Sequence, residues 1–305
     1  MLIKTKRRRG IVNKCFMCPR ECGADRDSEK LGFCRAPNDF LVAKTMLHTW
    51  EEPCISGHGG AGTVFFSGCN LHCIYCQNCA ISGGEAGKIM SDAQLEREIF
   101  SLAEKGAECI EFVTPTHYIV RLASLLEKIK PRLDIPVVWN SSGYEKTEYL
   151  RLLDGLVDIY LPDFKYFSPE ISRNYSFAPD YCEVAVNAIK EMFSQVGKPQ
   201  FDGKEMLKSG IIVRHLVLPS HRADSIAVLD LLEREIGHEN ILLSLMSQYT
   251  PDFYVSGSAP KEYKNLCRRV TSFEYDSVAK QAQNLGFEGY FQEHSSADKK
   301  YTPDF

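Results

Sequence analysis

No apolar run approaching the roughly 18 to 20 residues of a membrane-spanning helix occurs in the 305-residue sequence. Nor is there an excess of charge of one sign: 36 Lys and Arg stand against 40 Asp and Glu, a net of −4. That near-balance excludes a chain whose main business is wrapping nucleic acid or lying on an anionic membrane. The basic opening MLIKTKRRR lacks the apolar stretch of about 7–15 residues that follows such a start in a secretory leader. A solvated N-terminus and a cytoplasmic location are therefore the expectation. Internal repeats and low-complexity tracts are also lacking. Apolar residues at 44%, with 11% aromatic, are ample for a core, which excludes wholesale disorder. The length suits one large domain, alone or with an appendage.

Cysteine is what the sequence has in quantity. In a cytoplasmic chain, twelve of them read as metal ligands or reactive thiols rather than disulfides. Cys15, Cys18, Cys22 and Cys34 form one cluster, and Cys69, Cys73, Cys76 and Cys79 a second. Cys54 lies between them. Cys109, Cys182 and Cys267 are scattered and read as ordinary buried cysteines, small hydrophobes in effect.

Residues 1–55 carry little regular apolar periodicity and many turn formers, among them Pro19, Gly23, Gly32, Pro37 and Asn38. Such a segment needs a staple, and its cysteines are the candidates. From about residue 60 short apolar strands alternate with helical patterns. The expected strands are Thr63–Ser67, Cys109–Thr114, Val137–Asn140, Asp158–Pro162, Ile211–Leu218 and Ile241–Met246, each β-rich, as in strands buried on both faces. Ser91 and Gln94 form a capping-box pattern before Leu95, Ile99, Leu102 and Ala103. Further stripes are Leu122, Leu125, Leu126 and Ile129, then Tyr149, Leu152 and Leu153, then Ile226, Leu229, Leu232 and Ile236. The polar stretch Gly197–Ser209 reads as an insertion.

Six β/α units imply a parallel sheet with helices outside it. The expected fold is α/β, a partial (β/α)6 TIM-like barrel over residues 56–305, with a small Cys-rich N-terminal metal-binding segment over 1–55. Chemistry in such folds sits at the carboxyl ends of the strands. Polar residues collect there in every case: Ser67-Gly68-Cys69, Thr114-Pro115-Thr116-His117, Asn140-Ser141-Ser142-Gly143, Asp163-Phe164-Lys165, Arg214-His215 and Ser247-Gln248-Tyr249.

Directly after the first strand comes GCNLHCIYC, a C-x3-C-x2-C loop from Cys69 through Cys73 to Cys76. Three thiolates this close can hold three corners of a cubane iron–sulfur cluster, leaving one iron without a protein ligand. An open iron is useful only if something else binds it. Cys79 complicates the pattern, since a fourth thiolate would permit a closed cluster and a plain electron carrier. Such a cluster would leave the polar strand ends without a purpose, so Cys79 reads as a neighbour.

This loop resembles the signature of the radical S-adenosylmethionine superfamily. The wider set CPRECG, GFC, EEPCISG, FFSGCNLHCIYCQN, VTPTHY, NSSGYE, LPDFKY, RHLVLP and MSQYTP resembles an uncharacterised branch similar to pyruvate formate-lyase (glycyl radical enzyme) activating enzymes. The resemblance implies a 4Fe–4S cluster on Cys69, Cys73 and Cys76 whose open iron chelates S-adenosylmethionine. It implies reductive cleavage of that sulfonium to methionine and a 5′-deoxyadenosyl radical. It places Tyr75 beside the adenine, Thr114 and Thr116 near the methionyl amino group, and Asn140 and Ser142 near the ribose or carboxylate. Lys165 and Arg214 fall at basic positions that meet the methionyl carboxylate and the ribose side, and Asp163 at one that holds a cation or orients Lys165. Gly83-Gly84-Glu85 has the letters of the amino-group-binding GGE motif, but it precedes the first barrel helix and reads as a turn.

Cys15, Cys18, Cys22 and Cys34 have the count and compactness of a metal site, zinc or a second iron–sulfur cluster. Cys54 is open between neighbour, replacement ligand and buried structural thiol. Three functions stay open: a radical enzyme that activates a glycyl-radical partner protein, one that modifies a small molecule or peptide, and an iron–sulfur electron-transfer protein. Either enzyme implies a reducing donor of flavodoxin or ferredoxin type; neither implies nucleic acid or membrane.

Overall fold

The computed structural model describes residues 14–27, 31–251 and 261–292. The chain opens with a small antiparallel ladder of β1 (Lys14–Cys15) and β2 (Ala24–Asp25). β3 (Phe40–His48) follows, then the short helix α1 (Pro53–Ser56). The alternating part runs β4 (Ala61–Phe66), α2 (Cys79–Ser82), β5 (Lys88–Met90), α3 (Asp92–Glu104), β6 (Cys109–Val113), α4 (Ile119–Ile129), β7 (Val137–Ser141), α5 (Thr147–Leu150) and β8 (Ile159–Pro162). It continues through α6 (Pro169–Ser176), α7 (Tyr181–Val196), β9 (Gln200–Phe201), β10 (Leu207–Leu216), α8 (Arg222–Glu235), β11 (Leu242–Met246), α9 (Ser272–Asn284) and β12 (Gly289–Phe291).

One open sheet has the order β12-β11-β10-β8-β7-β6-β4-β3-β5. All pairs from β4 to β12 on that path are parallel, and β3 is antiparallel to both β4 and β5. This is the expected partial barrel. Each of the six strands expected from the sequence is present, in the expected order. Every residue of β4, β6 and β8 is buried, which is why these segments read as unbroken apolar runs rather than alternating ones.

The structure adds strands at both edges. β3 lies within the segment expected to be irregular, yet pairs with β4 from Val42–Phe66 to His48–Ala61. Its run of half-buried residues between buried ends gives no clean period of two, so the pattern hid it. β12 adds a seventh parallel strand too short to show periodicity. Within Gly197–Ser209, β9 folds back on β10, so the insertion is a hairpin. The capping box of α3 forms as expected, and Leu95, Ile99 and Leu102 are buried. The stripe at Tyr149 to Leu153 forms only one helical turn followed by a 3₁₀ turn, and Leu152 is exposed.

Candidate functional site

The loop after β4 is set by backbone contacts before any thiol is considered. Gly68 has φ +86, and a Cβ there would lie 2.4 Å from the Cys34 carbonyl oxygen; only glycine suits both demands. The next residue, Cys69, donates its N–H to that same oxygen at 3.2 Å. Asn70 donates to the Tyr144 carbonyl at 2.7 Å, and its own carbonyl accepts from Arg20 Nε at 2.7 Å. His72, at φ +51, meets the Phe33 carbonyl at 2.8 Å. The Cys-rich N-terminal segment thus clamps the loop from outside.

Cys69, Cys73 and Cys76 are free and partly exposed, and all three line one cleft. Burial pushes the thiols of Cys69 and Cys76 above their ordinary range. The charge of Cys73 raises both further, that of Cys69 raises Cys76, and Lys165 pulls both down. The three sulfurs therefore lie near enough to feel one another's charge. Such a set is costly as bare thiolates, and binding metal relieves that cost. Cys79 is exposed, at the first residue of α2, and is not among the residues lining the cleft.

The opposite wall is built from the carboxyl ends of β6, β7, β8 and β10. Thr114, Asn140, Ser142, Asp163, Lys165 and Arg214 all line it. Thr114 sits at φ +57, an uncommon conformation for a β-branched residue and one that clusters at functional sites. Lys165 Nζ donates to Asp163 Oδ2 at 2.5 Å. Against the downward pull of burial, this pairing raises the Lys165 ammonium and keeps it charged. Asn140 donates to Glu111 Oε1 and Thr63 to Glu111 Oε2, both at 2.8 Å. Burial, followed by the charge of Glu51, pushes Glu111 up to about 8. Tyr75 is buried against the cleft, its hydroxyl 2.6 Å from that of Tyr166.

Two expected contacts are otherwise engaged. Thr116, expected near a methionyl amino group, is buried off the cleft, where its hydroxyl donates to Glu145 Oε1 at 3.0 Å. Trp139 Nε1 and the Ser141 hydroxyl donate to the same carboxylate at 2.9 and 2.5 Å. A buried carboxylate must find such donors, and Thr116 supplies one. Arg214, expected to reach a methionyl carboxylate, is held by protein carboxylates. Its Nε donates to Glu52 Oε1 at 2.8 Å and its Nη2 to Glu52 Oε2 at 2.5 Å, with Glu51 as a further partner. Gly83-Gly84-Glu85 is a turn as expected, with Glu85 exposed and 3.7 Å from Arg35.

Sequence reasoning did not single out His48, Glu51, Asn78 or Thr250, which also line the cleft. Asn78 Oδ1 and Thr250 Oγ1 are buried without a hydrogen-bond partner among the described residues, as fits a cleft made to hold a polar ligand. The motif EEPCISG contained Glu51 and MSQYTP contained Thr250, but no spacing rule marks either residue.

The N-terminal cysteines form a second neighbourhood. Burial pushes Cys18 up to about 12, with Cys34, Cys15 and Cys22 adding to the rise. Burial also raises Cys34, and Cys15 and Cys22 again contribute. Among the described residues no three His, Cys, Asp or Glu side chains, these four and Cys69, Cys73 and Cys76 alike, close on a point that would hold a single metal ion. Cys54 stands apart. It is buried among Ile55, Ala61, Cys109 and Val138, with Tyr290 against it, a structural thiol.

Residues 63–197 match the description "Radical SAM superfamily". That segment is similar to the radical SAM superfamily. An uncharacterized protein of Methanocaldococcus jannaschii is 27% identical over 296 residues, covering 94% of this chain and 79% of that one. Among solved structures, Streptococcus suis SuiB bound to its precursor peptide SuiA is 12% identical with a TM-score of 0.49. The match covers 75% of this chain and 48% of SuiB, so the chain spans about half that protein's length. Methylornithine synthase is 13% identical with a TM-score of 0.46, covering 75% of this chain and 70% of that one. A radical SAM domain implies a 4Fe–4S cluster and S-adenosylmethionine. Among the described residues no helix is long and apolar enough to cross a membrane.

Proposed function

We propose that the chain is a radical S-adenosylmethionine enzyme of the activating-enzyme type. Cys69, Cys73 and Cys76 hold three irons of a 4Fe–4S cluster, and the fourth iron is left for S-adenosylmethionine. The observation that carries this is a shared cleft: three thiols of one loop face the Asp163–Lys165 pair and the ends of β6 and β7. The chemistry that such a bound pair supplies is one-electron cleavage of the sulfonium to methionine and a 5′-deoxyadenosyl radical.

The chain's own residues bind and orient. Lys165 holds its charge through Asp163 and retains donors for an anionic group. Thr114, Asn140 and Ser142 offer polar atoms along the strand ends, and Tyr75 packs beside the ligand's ring system. Asn78 and Thr250 contribute unpartnered polar atoms. Arg214 fixes the far wall through Glu51 and Glu52 rather than touching the ligand. The spacing and mutual charge effects of Cys15, Cys18, Cys22 and Cys34 support a second metal site, an iron–sulfur cluster or zinc, which these thiols would have to draw together to form and which would brace the cluster loop through Cys34. Electrons come from a flavodoxin or ferredoxin type of donor.

The proposed substrate is a glycine Cα–H of a partner protein, supported by the set of motifs shared with activating enzymes. Modification of a small molecule or peptide is favoured by a different observation. His48, Glu51, Arg214, Leu216 and Met246 give the cleft a polar and apolar wall beyond the cysteines, enough to recognise a compact substrate.

The test is product formation. Anaerobic, iron-loaded protein reduced with dithionite should convert S-adenosylmethionine to 5′-deoxyadenosine and methionine, and Cys69→Ala, Cys73→Ala and Cys76→Ala should each abolish this. Iron-loaded wild-type protein that forms neither product would contradict it.

A further inference from the structure

We infer that a one-way chain of hydroxyl groups, Tyr75 to Tyr166 to Ser176, ends on the sulfur of Cys73 and raises the reduction potential of the cluster held there. This rests on Cys73 being a cluster ligand. Ser176 Oγ donates to Cys73 Sγ at 2.9 Å. The Tyr166 hydroxyl is 2.6 Å from Ser176 Oγ, and the Tyr75 hydroxyl is 2.6 Å from that of Tyr166. All three side chains are buried.

The direction follows from proton counting. Each hydroxyl carries one hydrogen and can accept as well. Ser176 gives its hydrogen to sulfur, so Tyr166 must donate to Ser176. Tyr166 has then spent its own hydrogen, so Tyr75 must donate to Tyr166. Every hydrogen in the chain points toward the cluster, and each bond polarises the next. Tyr75 is left with an accepting oxygen at the cleft that it lines.

Cys73 is singled out by this arrangement. Backbone N–H groups serve the other two sulfurs, Leu71 at 3.3 Å and His72 for Cys69 and Asn78 for Cys76; Ser176 brings a side-chain hydroxyl to Cys73. Its placement is enforced. Ser176 ends α6, and Phe177 follows at φ +55. Arg20, between Cys18 and Cys22, donates to the Ser176 carbonyl at 2.6 Å and to the Phe177 carbonyl. Lone carbonyls at a helix end accept such a cation readily.

A donor to a ligand sulfur favours the more electron-rich state, so it stabilises the reduced cluster. Tyr75, Tyr166 and Ser176 are positioning residues in this scheme, acting through Cys73.

The experiment is an EPR-monitored redox titration of full-length, anaerobically loaded protein without S-adenosylmethionine, with iron measured in each sample. The core signal is the one that later addition of S-adenosylmethionine perturbs. Ser176→Ala should keep its iron while its reduced-to-oxidised ratio at a fixed potential falls about tenfold, about 59 mV for a one-electron couple. Tyr166→Phe should shift the potential in the same direction by less, because Ser176 keeps its sulfur contact. Ser176→Thr should restore the wild-type value. Full iron with an unchanged potential in Ser176→Ala overturns the inference. If Ser176→Ala does not retain the cluster, Tyr166→Phe decides: a lowered potential supports the chain and an unchanged one overturns it. Wild-type protein that assembles no core cluster would overturn instead the assignment of Cys73 as a ligand.

Discussion

Arg214 and Glu52 meet fork to fork, Nε to Oε1 at 2.8 Å and Nη2 to Oε2 at 2.5 Å. The pair joins β10 to the residue before α1, and Glu51 closes on the same guanidinium. Side-chain exposures are 14% for Arg214 and 7% and 6% for the two carboxylates, so little water compensates either sign of charge. Removing the cation leaves two buried carboxylates unpaired. Arg214→Met should destabilise the fold by about 3–5 kcal/mol, read by denaturant unfolding. Adding Glu52→Gln should recover part of that loss. A fully stable Arg214→Met chain that has lost only S-adenosylmethionine affinity would put Arg214 back at the ligand.

Glu111 predicts a pH dependence of opposite sign to that of most paired carboxylates. Burial raises it from 4.5 to about 8. Between those values the folded chain keeps a proton that the unfolded chain releases, so stability falls as pH rises through the window and levels off above it. Each unit of difference is about 1.36 kcal/mol, which makes the total a few kcal/mol. Glu111→Gln should remove that component, gaining stability relative to wild type at about pH 8 and little near pH 5. Denaturation midpoints across the range check this; parallel pH profiles for the two proteins would contradict it.

At Gly68 a single methyl tests how the two cysteine segments fit together. The added Cβ would meet the Cys34 carbonyl at 2.4 Å, in a backbone conformation of φ +86. Both effects oppose Gly68→Ala, and together they exceed the roughly 1 kcal/mol at stake when a substituted glycine is unstrained. Iron retention after anaerobic reconstitution should fall with stability, whereas Gly155→Ala, where a Cβ meets nothing within 4 Å, should lose stability through its φ of +72 alone and keep its iron.

The N-terminal cysteines should bind metal without the core. Loaded protein should carry about four irons per chain from the core and about eight if the second site is also a cubane cluster. A Cys69→Ala/Cys73→Ala/Cys76→Ala chain should keep the N-terminal share, iron or zinc, by elemental analysis. A chain that keeps neither would leave Cys15, Cys18, Cys22 and Cys34 as structural thiols.

The sequence disclosed those features that a regular pattern or a short spacing encodes. The central strands could be read because burial on both faces makes them uninterrupted apolar runs, and the C-x3-C-x2-C loop because its cysteines are neighbours in the chain. β3 escaped because a half-buried strand with a register shift near Val42 and Lys44 carries no clear period. The partners of Arg214 escaped for another reason. Glu51 and Glu52 are about 160 residues away in the chain, and only the folding of the sheet brings them together. The same holds for Ser176 and Cys73, 103 residues apart. Thr116 shows the converse: a strand-end threonine reads as a ligand contact until Glu145 is seen to take its hydroxyl.

The central claim is a cluster with three protein ligands and one open iron. EPR of the reduced Cys79→Ala protein, recorded before and after addition of S-adenosylmethionine, tests it most directly. The account predicts that Cys79→Ala keeps the core cluster and that its signal changes on addition of S-adenosylmethionine, as in wild type. Loss of the core cluster in Cys79→Ala, with a wild-type signal that S-adenosylmethionine leaves unchanged, would show a closed four-cysteine cluster and contradict it.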